Sequence, residues 1–332
     1  MKDFNRAARW TIDWPFWVSI PIFLILPFVA PYTALATNIL VFGIFAMAYN
    51  LLLGYTGLLS FGHGSFFGLG AYATGLLLVK ANAPLGLAML AGVLTATLGG
   101  LVIGYISLKR RDVYFAMITL AFSQLLFFLT LQLKDLTGGD NGLAGVPILH
   151  LPFSINLGKP LHTYYFTFVF FILSVYAVRR LLNSPFGKAM QAIRENENRA
   201  ISCGFNAKRV KLISFMISGM FSGLAGVLYC LHLRFVPIET LSITTNGEVI
   251  FISIIGGLGT FWGPMVGSAT FLILIDLINK VLARWEIVVG LIFILFILFL
   301  NRGICGLIES VMAGRKQRLA VASTQQAKGD ES

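Results

Sequence analysis

Residues 179–211 read Arg179-Arg-Leu-Leu-Asn-Ser-Pro-Phe-Gly-Lys-Ala-Met-Gln-Ala-Ile-Arg-Glu-Asn-Glu-Asn-Arg-Ala-Ile-Ser-Cys-Gly-Phe-Asn-Ala-Lys-Arg-Val-Lys211, a basic, polar island between apolar runs of membrane length. The island holds eight Lys/Arg against two Glu, and short cationic loops stay on the cytoplasmic side of a membrane. Ser184 followed by Pro185 is a helix start, a capping hydroxyl and then a residue whose φ is already helical. Ala189, Ile193, Ala200 and Cys203 fall on one face, with Lys188, Gln191, Glu195 and Asn198 on another. The pattern predicts a short amphipathic helix outside the bilayer over 184–206, ending near Gly204, that serves as a docking element. An ordinary solvated loop that only sets topology is the plainer alternative.

Working outward, 57% of the 332 residues are hydrophobic and 12% charged, with a mean hydropathy of +0.82. Soluble domains carry charge on about a quarter of their residues, so the chain is an integral membrane protein. Its formal charge of +11 does not point to nucleic acid, because most cations flank apolar runs and serve topology. Cys203, Cys230 and Cys305 are too far apart to form a metal motif or a disulfide framework.

At about 20 residues per crossing, passes are expected near 16–34, 36–53, 58–79, 84–108, 112–133, 161–178, 211–233, 249–261, 263–282 and 285–301. The fold class is therefore all-α and polytopic, with about ten passes. The eighth run is too short for a straight crossing and holds Gly256, Gly257 and Gly259, so a broken or re-entrant element is expected there; the Gly-rich third is expected to bend or re-enter. With both termini cytoplasmic, the inner segments carry 19 Lys/Arg and the outer loops 6, as the positive-inside rule requires. The longest outer loop, 135–160, is dense in turn formers around Gly138–Pro147. The stretch 302–332 reads as a cytoplasmic tail, disordered towards its end.

Glycine pairs four apart (Gly64/Gly68, Gly100/Gly104, Gly219/Gly223, Gly263/Gly267) permit close helix approach. Two stretches are too glycine-rich for stable isolated helices: Gly54-Tyr-Thr-Gly-Leu-Leu-Ser-Phe-Gly-His-Gly-Ser-Phe-Phe-Gly-Leu-Gly-Ala-Tyr72 and Gly256-Gly-Leu-Gly-Thr-Phe-Trp-Gly-Pro-Met-Val-Gly267. Unwound backbone is tolerated at membrane depth only where protein buries it or it lines a cavity. Gly57, Gly62, Gly64, Gly68, Gly256, Gly257, Gly259 and Gly263 are accordingly candidate pathway or hinge positions. Asp276, Glu248 and His63 are the titratable residues of interest in apolar runs, and an intramembrane carboxylate is a functional candidate. Asp276 has a plainer reading as a partner of Lys280 one turn on, and His63 as a hydrogen-bonded packing residue. The P-loop, zinc-protease and nucleophile-elbow motifs are missing from the sequence, so no catalytic residue, metal ligand or cofactor is expected.

In order along the chain, residues 54–72, Thr137-Gly-Gly-Asp-Asn-Gly-Leu143, 184–204 and Gly256-Gly-Leu-Gly-Thr-Phe-Trp-Gly-Pro264 resemble the signature blocks of the branched-chain amino acid ABC transporter permease family, LivM type. The resemblance implies a permease domain over 16–301 behind a cytoplasmic N-terminus, 1–15, in a bacterial inner membrane. It also implies several partners: a second permease subunit of the LivH type, two cytoplasmic ATP-binding subunits and a periplasmic solute-binding protein. Segment 184–206 would be the ATPase-coupling element, with Lys188, Arg194, Glu195, Glu197, Arg199, Ala200 and Gly204 as its contacts. Ile201 stands where a second small residue is usual. Gly139, Asp140, Asn141 and Gly142 would meet the binding protein. The solute would be a branched-chain amino acid or a related small molecule. A secondary transporter driven by an ion gradient is the competing reading, and it requires an essential membrane carboxylate such as Asp276 or Glu248.

Overall fold

The computed structural model describes residues 21 and 23–280, apart from 149 and 152–154, together with 290–291 and 303–306. The expected N-terminal segment, almost all of the pass at 285–301 and almost all of the tail lie outside these residues. Besides a single helical turn at Lys134–Thr137, the described residues form α1 (Thr33–Thr56), α2 (His63–Val79), α3 (Leu85–Ser107), α4 (Asp112–Gln132), α5 (Pro160–Asn183), α6 (Pro185–Glu195), α7 (Glu197–Ser202), α8 (Ala207–Leu233), α9 (Ile243–Gly256) and α10 (Gly263–Asn279). A two-residue antiparallel ladder, His150–Leu151 with Ile155–Asn156, decorates the loop between α4 and α5.

Among the described residues, α1, α3, α4, α5 and α8 are long and apolar enough to cross a membrane, while α2, α9 and α10 are shorter apolar helices. The most apolar stretch of α1 is 94% buried within the protein, against 22% for α4. So α1 is the hub and α4 a peripheral wall. Helices α8, α10, α5 and α9 all pack on α1, and α2, α3 and α8 pack on one another. Without a hydrophobic drive between helices in lipid, such contacts depend on backbone approach and dispersion. The glycine pairs supply it: Gly223 faces Ala96, and a Cβ on Gly219 would lie 3.4 Å from the Gly100 Cα.

The ends of several expected passes are corrected. The third, expected from 58, becomes helical only at His63, and the eighth, expected at 249–261, is helical over Ile243–Gly256. The reason lies in depth. His63 Nε2 sits 2.7 Å from Ser218 Oγ, eleven residues beyond the start of α8, or roughly 16 Å at 1.5 Å per residue. Asn246 donates to Ser123 Oγ at 3.0 Å, eleven residues beyond the start of α4. Both α2 and α9 therefore begin near the middle of the bundle and run to opposite ends, fed by the non-helical segments 57–62 and 234–242. Glycine ends α1, because Gly57 takes φ +78, its N–H donating to the Leu53 carbonyl at 3.2 Å and that of Leu58 to the Leu52 carbonyl at 3.3 Å, a left-handed cap that costs glycine little.

Candidate functional site

The amphipathic element exists, but as two helices rather than one. Ser184 Oγ accepts from Gly187 N at 3.3 Å and caps α6, with Pro185 in its first turn. The chain then breaks at Asn196, which is extended at φ −161, and its Oδ1 accepts from Arg199 N at 2.9 Å to start α7. An Asn that caps a new helix competes with continuation of the old one. Ile193, Ala200 and Ala207 form a small apolar cluster beneath the pair, joined by Ala192 and Val210. Cys203, expected on that face, is exposed. Glu197 is tied to Lys211 of α8 at 2.9 Å, whereas Lys188, Glu195 and Arg199 are exposed. Gly204 closes α7 at φ +90 with open space around it.

Arg194 points elsewhere. Its guanidinium donates to the carbonyl of Gly54 in the last turn of α1, one of the acceptors that a helix end leaves without an internal partner. A Cβ on Gly259 would lie 2.7 Å from Arg194 Nη1, and one on Gly57 3.2 Å from its Cγ. Beside it, Asn50 of α1 accepts from Gly259 N at 2.9 Å and donates to the Thr260 carbonyl at 2.8 Å. The two glycine-rich stretches that the sequence singles out are thus a single contact, clasped by Asn50 and by Arg194. Gly256 and Gly263 meet backbone to backbone behind it, and Gly257, at φ +114, turns the chain between them.

At mid-depth, Gly64 N donates to Asn246 Oδ1 at 2.7 Å, and Asn246 Nδ2 also reaches the Ser242 carbonyl at 3.1 Å. The starts of α2 and α9 therefore meet head to head, an arrangement found where broken helices bring their N-termini to the membrane midplane. Gly62 lies against the Thr119 carbonyl, 2.8 Å from where its Cβ would stand, and Gly68 lies under Leu241. His63 is fully buried, with its ring edge-on to Tyr49 at 4.9 Å and Phe66 at 5.5 Å. Through Ser218, which donates to the Ala48 carbonyl at 2.6 Å, it links α2, α8 and α1.

At the end opposite α6, Gly139–Asn141 form one 3-10 turn with Asp140 and Asn141 exposed and Gly139 and Gly142 buried. Leu143 and Val236 bridge this loop to the segment after α8 through hydrogen bonds of 2.9 and 3.0 Å. Asp276 sits near this end, where it accepts from Lys280 Nζ at 2.7 Å and Tyr32 OH at 2.6 Å. Asn50 and Asn246 were missed from sequence. For Asn50 the available signal was an amide in an otherwise apolar run, where an unpaired polar group costs several kcal/mol; Asn246 stands among polar residues that read as a loop.

A family model described as branched-chain amino acid transport system, permease component, matches residues 32–300. The high-affinity branched-chain amino acid transport system permease protein LivM of Salmonella typhimurium is 27% identical, over 88% of this chain and 72% of its own length. The LivM protein of Escherichia coli gives the same values. The autoinducer 2 import system permease protein LsrC of Photorhabdus laumondii is 27% identical over 42% of this chain and 44% of its own. No solved structure matches the chain.

Proposed function

The chain belongs to the branched-chain amino acid transport permease family, and from that premise we propose that it is the LivM-type membrane subunit of an ABC importer for branched-chain amino acids or related small solutes. The family is one of transport permeases, not of enzymes. The observation that carries the reading is the family match across 32–300, which spans the hub, both half-helices and the amphipathic pair α6–α7. Its partners are a LivH-type permease, two cytoplasmic ATP-binding subunits and a periplasmic solute-binding protein. The exposed Lys188, Glu195 and Arg199 suit the ATPase contact, and Asp140 and Asn141 suit the binding-protein contact at the other end.

About ten passes, with both termini cytoplasmic, is the topology we favour for the bacterial inner membrane. The excess of 19 over 6 Lys/Arg supports it. So does the placement of Gly303 against Gly257, at the α6 end, while Lys280 lies with Tyr32 at the other. The charge of Asp276 is answered by Lys280 near a helix end, which weakens the ion-gradient alternative. In inside-out terms, ATP closure of the ATPases would push α6–α7, and the half-helices would move against the partner permease.

The deciding measurement is uptake by the complete transporter in vesicles. With Asp276→Asn and Glu248→Gln combined, ATP-dependent uptake is expected to stay within about twofold, since neither carboxylate carries a coupling ion. Uptake that ignores ATP but collapses in the double variant would sink the importer reading.

Gly204→Val tests the lever's end. The left-handed backbone there costs an L residue about 1–2 kcal/mol, so the turn leaving α7 is expected to shift and uptake to fall about tenfold. Vesicle uptake at wild-type rate, with normal co-purification of the ATPases, would refute a role for this turn.

A further inference from the structure

We propose that Arg194 is a positioning residue that locks the lever α6 to both half-helices, so that movement of α6 is delivered to the Gly64–Asn246 contact at mid-depth. The proposal rests on the importer reading, and it gives Arg194 a different task from Lys188, Glu195 and Arg199: all four are exposed, but the Arg194 guanidinium reaches back to the Gly54 carbonyl.

Three observations carry it. First, the Arg194 guanidinium fills the free acceptor of Gly54 in the last turn of α1, where the helix dipole favours a cation. Second, it lies against two glycines that leave room for it. A side chain at 259 would meet Nη1 at 2.7 Å, and one at 57 would meet Cγ at 3.2 Å; both positions have positive φ. Third, these two glycines are the lever-side roots of the two half-helix segments. Gly57 opens the 57–62 descent to α2, and Gly259 lies in the turn that ends α9. Asn50 holds that turn to α1 through two hydrogen bonds, at 2.9 and 2.8 Å. Movement of α6 by a few ångström therefore has no slack to absorb it before the segments that lead to Gly64 and Asn246. A flat guanidinium that donates to Gly54 and also packs against both glycines holds such a junction better than a compact ammonium, which keeps the charge but not the shape.

The test uses the complete transporter in vesicles, reading solute uptake and ATP hydrolysis together. Arg194→Ala is expected to lower solute moved per ATP split about tenfold, and Arg194→Lys to recover part of it. Uptake and hydrolysis that fall in parallel, as loss of an ATPase contact would cause, overturn the proposal, as does an unchanged ratio. A wild-type transporter without ATP-dependent uptake would instead refute the importer reading itself. A second measurement leaves Arg194 in place, so a variant that fails to assemble does not shield the idea. Spin labels at Gln191→Cys on the exposed face of α6 and at Leu258→Cys, 37% exposed in the glycine turn, report whether the two move as one body. Their separation is expected to hold between nucleotide-free and ATP-trapped states. A change of more than about 5 Å, one helical turn, shows that α6 slides past the turn and overturns the lock.

Discussion

Gly226→Ala is expected to lower the unfolding midpoint of the protein in detergent by several degrees, while Gly86→Ala leaves it unaffected. On α8, a Cβ at 226 would overlap the Phe67 carbonyl of α2 and come within 3.1 Å of the Ala71 N; Gly70 meets the Gly223 backbone in the same crossing. Both walls of this contact are backbone, so no side chain can swing aside. Overpacking a well-filled site costs about 1–3 kcal/mol, and this rigid crossing belongs at the upper end. Against a total stability of about 5–15 kcal/mol that is a large fraction. Gly86, near the start of α3, has nothing within 4 Å of its Cβ position and serves as the control. Fluorescence-detected size exclusion and a melting curve measure both variants. Equal midpoints for the two would mean that the α2–α8 crossing yields, contrary to the packing described.

The second large effect is expected at mid-depth. Asn246 is 1% exposed and satisfies Gly64 N, Ser123 Oγ and the Ser242 carbonyl. Asn246→Leu keeps the branching and the number of side-chain heavy atoms but leaves Gly64 N without its acceptor. It also puts a methyl group where the amide oxygen now sits, 2.7 Å from Gly64 N. An unsatisfied buried donor costs about 1–3 kcal/mol, and the crowding adds to it, so a loss of about 3 kcal/mol is expected. Ser123→Ala, which removes one hydrogen bond of the same cluster, is expected to cost only about 1 kcal/mol. Thermal unfolding in detergent orders the two. If Asn246→Leu proves as mild as Ser123→Ala, the α2–α9 meeting point does not hold the bundle together.

Much of this architecture was legible in the sequence. Hydropathy placed α3 and α4 within a residue of their observed ends, because a long apolar run bounded by Lys109-Arg-Arg111 or by Pro84 has few other ways to fold in lipid. It failed at the two half-helices for opposite reasons. Residues 57–62 contain Leu58, Leu59 and Phe61 and are as apolar as a helix, yet they run as a connecting segment. Residues 243–248 contain Thr244, Thr245, Asn246 and Glu248 and look like a loop, yet they are helical. Ser242 caps them, and Thr245 Oγ1 returns to the Glu239 carbonyl at 2.6 Å, so their polarity is answered inside the protein. The break at Asn196 went unseen because the amphipathic period runs on through it, while the side-chain cap that interrupts the helix is a local competition.

The candidate site divides in the same way. Glycine density alone marked 54–72 and 256–267 as places where the chain is not an ordinary helix, and the basic island alone marked the amphipathic pair α6–α7. The numbers of Lys and Arg on either side of each apolar run fixed its orientation as an expectation. Those are properties of composition and spacing, so one chain suffices to read them. That the two glycine stretches touch, that Arg194 turns inward while Arg199 stays out, and that Asn50 and Asn246 are clasps could not be read there. Each joins residues some 140 to 210 positions apart. Which distant backbone group an amide or a guanidinium satisfies is settled only when the helices pack, and for the buried amides it is burial that makes an unpaired group so costly.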